Sequence, residues 1–291
     1  MKKSIIYALA SSALVLATSC TDLDVDVKSK YTEYPNESEI ALEAKMSDVY
    51  YAFRTQLGNN YNRTQTFASD EAAGISFDGD YYDSAENVNP TLHNFNPENK
   101  PLNYWADLAS GITKCNQFID DLAGDDSKSM QIAQARTMRA FYHFILMDSF
   151  GDVPVLDRVP DDGEAVERKP RAEVAAFIEK ELKECLPLLS DKNNAATYGK
   201  PNRWMAEALL VKLYINWGVY TCANVADYDA ASTVNNKLDE CVAMCDDIIK
   251  SHLFNLDDAY RKKFLYNNGV HIKDFIYACL LYTSPSPRDR G

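Results

Sequence analysis

Residues 135–155 read A-R-T-M-R-A-F-Y-H-F-I-L-M-D-S-F-G-D-V-P-V, a run of apolar and aromatic residues that ends in a turn. Four of its residues share one face at helical spacing: Met138, Phe141, Tyr142 and Ile145. Apolar side chains also fill the other faces, and a helix that is apolar nearly all round is buried between other helices. Because Gly151 and Pro154 interrupt helices, the segment predicts a central buried helix over residues 127–150.

Five further segments, on both sides of the central one, carry apolar residues at steps of three or four. Their predicted stripes are Leu42, Met46, Val49 and Phe53; Trp105, Leu108, Ile112, Cys115, Ile119 and Leu122; Val174, Ile178, Leu182 and Cys185; Trp204, Ala208, Val211 and Ile215; and Leu238, Cys241, Cys245 and Ile248. Small and large apolar residues alternate along them, as stacked helix hairpins of the tetratricopeptide (TPR) kind require, although no strict repeat period is present. We therefore predict a mainly α-helical fold with TPR-like helix pairs.

One long stretch, from Gly58 to Pro101, has no helical periodicity and is rich in aromatic and amide side chains. A loop of that length in a compact domain is usually functional or disordered, and its aromatic content argues against disorder. Aromatic rings stack on sugars, and Asn and Asp hydrogen-bond to them. The stretch is therefore expected to be an irregular loop with a binding role.

The overall composition excludes several classes of protein. The chain has 291 residues, of which 46% are hydrophobic, and this excludes wholesale disorder and a protein with many membrane spans. The 43 Asp and Glu residues outnumber the 30 Lys and Arg residues, which leaves a net charge of −13. A surface of that charge repels phosphate backbones, so no nucleic-acid partner is expected.

No motif for a cofactor, a metal or a nucleophilic enzyme is present. The sequence lacks G-x-G-x-x-G, the Walker A motif, H-E-x-x-H and G-x-S-x-G. Asp78, Asp80 and Asp83 lack the glycine and the terminal glutamate of an EF-hand, so a solvated loop is expected there. His143 lies inside the apolar helix, where we expect a hydrogen-bonded core histidine.

Most of the six cysteines after residue 20 fall on apolar helix stripes, which favours buried free thiols. Cys241 and Cys245 would share one helix face with their Cβ atoms about 5–6 Å apart, which is wide for a disulfide. A zinc site would need two more ligands, and no such pair lies nearby in the sequence.

The N-terminus has the pattern of a lipoprotein signal peptide. Lys2 and Lys3 precede a short apolar region that ends in Leu-Ala-Thr-Ser-Cys at Cys20, which resembles a lipobox. Residues 1–19 would then be removed, and Cys20 would carry the acyl chains that anchor the protein to a membrane. Residues 20–36 begin with T-D-L-D-V-D after the cysteine and would form an acidic tether. An ordinary secretory peptide with an incidental cysteine is the alternative.

The segment over residues 135–155 closely resembles the signature of the SusD/RagB family, in which an Arg-Ala-aromatic helix is followed by Phe-Gly-Asp-Val-Pro. Four other blocks resemble the family in order and spacing: Tyr104 to Ile119, Arg171 to Leu188, Gly199 to Tyr214 and Cys245 to Phe264. Two departures are modest. Lys200-Pro201-Asn202 replaces a usual Gly-Arg start, and Lys273-Asp274 stands where the family often has Glu.

The resemblance implies a lipoprotein on the cell surface, anchored in the outer membrane, that binds glycans or peptides. Such proteins form a lid over a TonB-dependent, SusC-like transporter barrel and deliver their ligand to it, so the resemblance implies binding without catalysis. Two alternatives stay open. One is a secreted glycan-processing enzyme, because no carboxylate pair can be singled out or dismissed. The other is a TPR-like scaffold that binds no ligand.

In the family, ligand contacts come from loops that include the stretch before the tryptophan helix. The candidate residues there are Tyr81, Tyr82, His93 and Phe95 for stacking, and Asn87 and Asn94 for hydrogen bonds. No family motif determines these positions, so packing within the loop is the alternative role for each.

The resemblance covers roughly residues 20–278. Within it, residues 37–278 would form a SusD-like α-helical domain, which we expect to be incomplete because members of the family are considerably longer. Residues 279–291 are rich in Pro, Ser and Arg and do not continue the family pattern. We expect this tail to be foreign to the natural protein, a natural disordered C-terminus being the alternative.

Overall fold

The computed structural model describes residues 39–55, 60–74, 88–96, 104–256, 260–265 and 267–278. In these ranges nine α-helices follow one another: α1 Glu39–Thr55, α2 Asn62–Ala68, α3 Val88–Thr91, α4 Trp105–Asp121, α5 Ser129–Phe150, α6 Arg171–Cys185, α7 Arg203–Ile215, α8 Trp217–Thr221 and α9 Leu238–Lys250. The same ranges contain no strand, only an antiparallel bridge between Val153 and Lys169. The predicted α-helical fold is confirmed.

The central helix α5 is buried, as its sequence predicts. Met138, Tyr142 and Ile145 are inaccessible to solvent, and α4 and α6 pack against the helix from two sides. Other helix pairs in close contact are α1 with α4, α6 with both α7 and α8, and α7 with α9. Successive long helices therefore pack on one another, which is the arrangement expected of TPR-like pairs.

Local sequence explains both ends of α5. Asp125 accepts a hydrogen bond from the backbone N–H of Ser127 (3.0 Å) and starts the single turn that precedes the helix. At the other end Gly151 has a φ of +77°, a left-handed conformation that glycine adopts without steric cost. Its N–H still bonds the carbonyl of Met147 (2.9 Å), so the last helical hydrogen bond is kept where the chain turns.

The stripe predicted for α7 is wrong in part. Ile215 is 61% exposed, whereas Leu209, Leu210 and Leu213 are buried. Helix α7 packs against both α6 and α9, so its buried surface is wider than one four-residue stripe. The first residue of the stripe predicted for α9, Leu238, is also exposed, because only one side of that helix contacts α7.

The expectation that Gly58 to Pro101 contains no helix is also wrong in part, because α2 and α3 lie within it. The sequence of α2, N-R-T-Q-T-F-A, has no apolar stripe, and Thr64 is the only one of its residues that is fully buried. A helix this short is unstable in isolation, so contacts with the rest of the protein must hold it. Periodicity could not reveal those contacts.

No helix in the described ranges is both long and apolar enough to cross a lipid bilayer. Large apolar side chains are nevertheless exposed toward the C-terminal side of the domain, among them Val242 and Ile249 on α9 and the ring pair Tyr260 and Phe264.

Candidate functional site

The structure describes two parts of the predicted binding loop, residues 60–74 around α2 and residues 88–96, and the second part forms a tight turn. Backbone hydrogen bonds close it from Leu92 to Val88 (3.0 Å), from His93 to Pro90 (3.0 Å) and from Asn94 to Asn89 (2.9 Å). His93 has a φ of +52°, in the left-handed region that non-glycine residues rarely adopt. This conformation ends α3 and sets the direction of the side chains that follow.

Two of the predicted stacking residues, His93 and Phe95, lie side by side. Their ring centroids are 6.3 Å apart and the ring planes differ by only 15°. Phe95 is 44% exposed and His93 is also exposed, so both rings are accessible from solvent. The exposed flat face of a ring in such a nearly parallel pair can cover the C–H surface of a sugar ring.

The third described candidate, Asn94, takes part in the loop itself. Its side-chain amide donates to the Oδ1 atom of Asn89 (3.2 Å), so this amide group, predicted to bind a ligand, takes part in a hydrogen bond within the loop. The other candidates lie outside the described residues, and so do the three aspartates of the acidic loop. These candidates are Tyr81, Tyr82, Asn87 and the predicted lipidation site Cys20.

Two hydrogen bonds attach the ring-bearing turn to the segment around α2. The Nε2 atom of His93 donates to the carbonyl of Ala68 (2.8 Å), the last residue of α2. The hydroxyl of Thr91 accepts from the N–H of Gly74 (2.8 Å), just beyond that helix. The position of the two rings therefore depends on the position of α2.

A single carboxylate on α5 holds α2 in turn. Asp148 accepts hydrogen bonds from the Tyr61 hydroxyl (2.8 Å), the Gln65 side-chain amide (3.3 Å) and the Tyr220 hydroxyl (2.7 Å). Burial, and next the negative charge of Asp148, raise the pKa values of Tyr61 and Tyr220, so both hydroxyls stay protonated donors. Sequence reasoning missed this cluster. The available signal was that Asp148 is the only acidic residue in α5.

The comparison with known proteins identifies the family. Residues 23–215, more than half of the chain, match the sequence model of a SusD-like family described as "Starch-binding associating with outer membrane". This chain belongs to that SusD-like family.

Relatives of this SusD-like chain include proteins of known ligand. It is 30% identical over 133 residues to the starch-binding protein SusD of Bacteroides thetaiotaomicron. The matched region covers 45% of this chain and 23% of that protein. A solved "Laminarin binding SusD-like protein" is 26% identical, with a TM-score of 0.54, over 62% of this chain and 41% of that one.

A solved SusD-like protein from Bacteroides fragilis shares the fold. Its TM-score is 0.66 at 18% identity, and the match covers 85% of this chain and 45% of the other. The chain thus spans between 23% and 45% of the length of these three relatives.

The structure also explains two of the blocks that resemble the family signature. Arg139 in α5 donates to Glu181 of α6 (Nη2 to Oε2, 2.5 Å), to Oδ1 of Asn116 in α4 (2.8 Å) and to the carbonyl of Asp157 (2.6 Å). All three side chains are buried, so the group joins three helices and the chain after Pro154 instead of contacting a ligand.

His143 is the hydrogen-bonded core histidine that the sequence predicts. Its Nδ1 donates to the carbonyl of Arg139 (2.8 Å), and its Nε2 accepts from the N–H of Leu156 (3.1 Å). Burial lowers the pKa of His143 to about 4, so the ring is neutral at physiological pH. It holds the exit of the signature turn against α5.

The cysteines that the structure describes carry free thiols, including Cys241 and Cys245. Three of the five are buried. Burial raises the pKa of Cys185 to about 11, which keeps this thiol protonated and unreactive. Over the described residues, no three His, Cys, Asp or Glu side chains are grouped so that they could hold a metal ion.

Proposed function

We propose that this SusD-like chain belongs to a cell-surface lipoprotein that captures glycans with the His93–Phe95 ring pair and delivers them to a TonB-dependent, SusC-like transporter. The observation that carries the proposal is the exposed pair of nearly parallel rings on a turn whose backbone is closed by hydrogen bonds. The family description and the starch- and laminarin-binding relatives support a carbohydrate ligand.

The proposed activity is binding without catalysis. Flat aromatic faces cover the C–H side of a sugar without polarising the glycosidic bond, so they supply affinity and no chemistry. The affinity has to be modest, because a protein that delivers its ligand must also release it. With a net charge of −13, we expect neutral glycans to be preferred over anionic ones.

The membrane attachment is part of the same proposal. The family description names the outer membrane, and the lipobox-like end of the signal segment supports acylation of Cys20. Residues 1–19 would be the signal peptide, residues 20–36 the tether and residues 37–278 the SusD-like domain, with residues 279–291 foreign to it. Incorporation of labelled palmitate tests this anchor. Incorporation by the unchanged chain and its loss in the Cys20→Ser variant would support acylation of Cys20.

Affinity electrophoresis tests the binding. The full chain, solubilised in detergent, is run in native gels that contain starch, laminarin or xyloglucan. We expect retardation by at least one glycan, and Phe95→Ala should remove it because the flat face is lost. Phe264→Ala is the matched control, since Phe264 is 69% exposed and also lies beside a second ring.

Three results would contradict the proposal. Failure of every neutral glycan to retard the chain would reject glycan capture. Equal loss of retardation in the Phe95 and Phe264 variants would reject the site. Shortening of any glycan by the purified chain would favour the glycan-processing enzyme instead.

A further inference from the structure

We propose that Asp148 is a positioning residue for ligand binding: through Tyr61 and Gln65 it holds α2, and α2 in turn places the His93–Phe95 ring pair. The inference rests on the proposed function, because it takes the ring pair as the ligand-binding surface. Asp148 itself lies in the signature helix, and its hydrogen bonds go to Tyr61, Gln65 and Tyr220, none of which belongs to the ring-bearing turn.

The first step is that Asp148 bonds the short helix α2 at two places, through Tyr61 just before it and Gln65 within it. The helix has seven residues, its N-terminus lacks a side-chain cap, and Thr64 is its one fully buried residue. The Tyr61 ring also packs edge-on against Tyr104, with ring centroids 6.5 Å apart, and Tyr61→Phe would keep that contact. The hydrogen bond from the Tyr61 hydroxyl is short (2.8 Å) and partly buried and the one from Gln65 is longer (3.3 Å), and bonds to carboxylates are roughly twice as strong as those between neutral groups.

The second step is the transfer of position from α2 to the rings. Tyr61 and Gln65 are held at the start and middle of the helix, and Ala68 at its end accepts the hydrogen bond from the His93 ring. Because a helix is stiff over this length, movement at Tyr61 is passed to the Ala68 carbonyl. The stacked arrangement of His93 with Phe95 depends on that bond, since it orients the imidazole plane.

The third step separates this role from general stability. Tyr220 of α8 also donates to Asp148, at 2.7 Å, but it lies on the other side of the carboxylate and binds Oδ1 instead of Oδ2. Tyr61→Phe and Tyr220→Phe each remove one hydroxyl from the same carboxylate and keep the ring. Of these two hydrogen bonds, the one that Tyr61→Phe removes connects Asp148 to α2, whereas the one that Tyr220→Phe removes connects it to α8.

The experiment uses the full chain in detergent and has two measurements. The first is the association constant for whichever of starch, laminarin or xyloglucan retards the unchanged chain. The second is amide hydrogen exchange of the peptide that spans residues 88–96, which needs no ligand. Asp148→Ala and Tyr61→Phe are the test variants, Tyr220→Phe is the matched control, and thermal unfolding verifies that each variant folds.

We expect Tyr61→Phe to weaken glycan binding about tenfold and to speed exchange in residues 88–96, as the loss of one charge-assisted hydrogen bond implies. Asp148→Ala should weaken glycan binding and speed hydrogen exchange more than Tyr61→Phe does. Tyr220→Phe should change neither the binding nor the exchange. Equal effects of the two tyrosine variants, or unchanged exchange in Tyr61→Phe, would overturn the positioning role. If no glycan binds the unchanged chain, the proposed function fails, while the exchange measurement still decides whether Asp148 positions the turn.

Discussion

Arg139 and Glu181 form an ion pair inside the protein: Nη2 lies 2.5 Å from Oε2, and each side chain is only 5% exposed. Arg136 bonds the other oxygen of Glu181 (2.6 Å) and also Glu184 (2.5 Å), so Glu181 is shared by two guanidinium groups from consecutive turns of α5, and Arg139 has no other carboxylate partner among the described residues. Since Glu181 belongs to α6, this group joins the signature helix to its neighbour.

We expect Glu181→Ala to destabilise the protein strongly, because it leaves a buried guanidinium without its counter-charge. The free energy of unfolding should fall by about 4 kcal/mol, the cost typical of breaking one side of a buried pair. Urea denaturation followed by circular dichroism measures it. Glu164→Ala is the control, because its pair with Arg158 is exposed to solvent, and the unfolding midpoint should not change. Similar unfolding midpoints for the two variants would show that the buried ion pair contributes no more to stability than the exposed one.

The neutral state of His143 predicts a pH dependence of stability. Its folded pKa, about 4, lies below the ordinary value of 6.5, so the unfolded chain takes up a proton first as the pH falls. The folded protein should therefore lose stability as the pH decreases from about 6.5 toward about 4, by about 2 kcal/mol between pH 7 and pH 5.

Urea midpoints measured across this pH range, for the unchanged chain and for His143→Gln, isolate the contribution. Glutamine offers a donor and an acceptor but does not titrate, so the variant should be less stable at pH 7 and show a flatter slope. An identical slope in both proteins would mean that His143 is not responsible.

Gly151 gives a third prediction, about the turn after the signature helix. A Cβ atom there would meet nothing closer than the Arg171 side chain at 3.7 Å, so the cost of Gly151→Ala comes from its φ of +77° and not from a clash. We expect a loss of about 1–2 kcal/mol in the free energy of unfolding. Gly269→Ala, at a glycine that does not have a left-handed φ, should be near neutral, and equal losses would contradict this reading.

His93→Gly separates affinity from stability at the proposed site. Glycine adopts the left-handed backbone of residue 93 without strain, which offsets the lost hydrogen bond to Ala68. The unfolding free energy should therefore change by less than about 1 kcal/mol, whereas glycan retardation in native gels should be lost with the ring. Retained binding in this variant would remove His93 from the site.

Local sequence was enough to predict the long helices and their ends. Apolar residues three or four positions apart predict a helix from Trp105 to Leu122 and another that ends before Gly151. Helices α4 and α5 lie there as predicted. The same pattern predicts that His143 is buried, since the helix around it is apolar. It also predicts that the ring is hydrogen-bonded, because buried polar groups need partners.

The tertiary structure decided everything that depends on partners distant in the sequence. Helix α2 has no periodic signal and is held by Asp148, which is 87 positions after Tyr61. Glu181 pairs with Arg139 across 42 positions, and the buried face of α7 is determined by two neighbouring helices at once. Periodicity reports which residues favour a helix, since that preference is local. Which faces meet, and whether His93 and Phe95 lie together on the surface, depends on how the helices pack, and no local pattern contains that information.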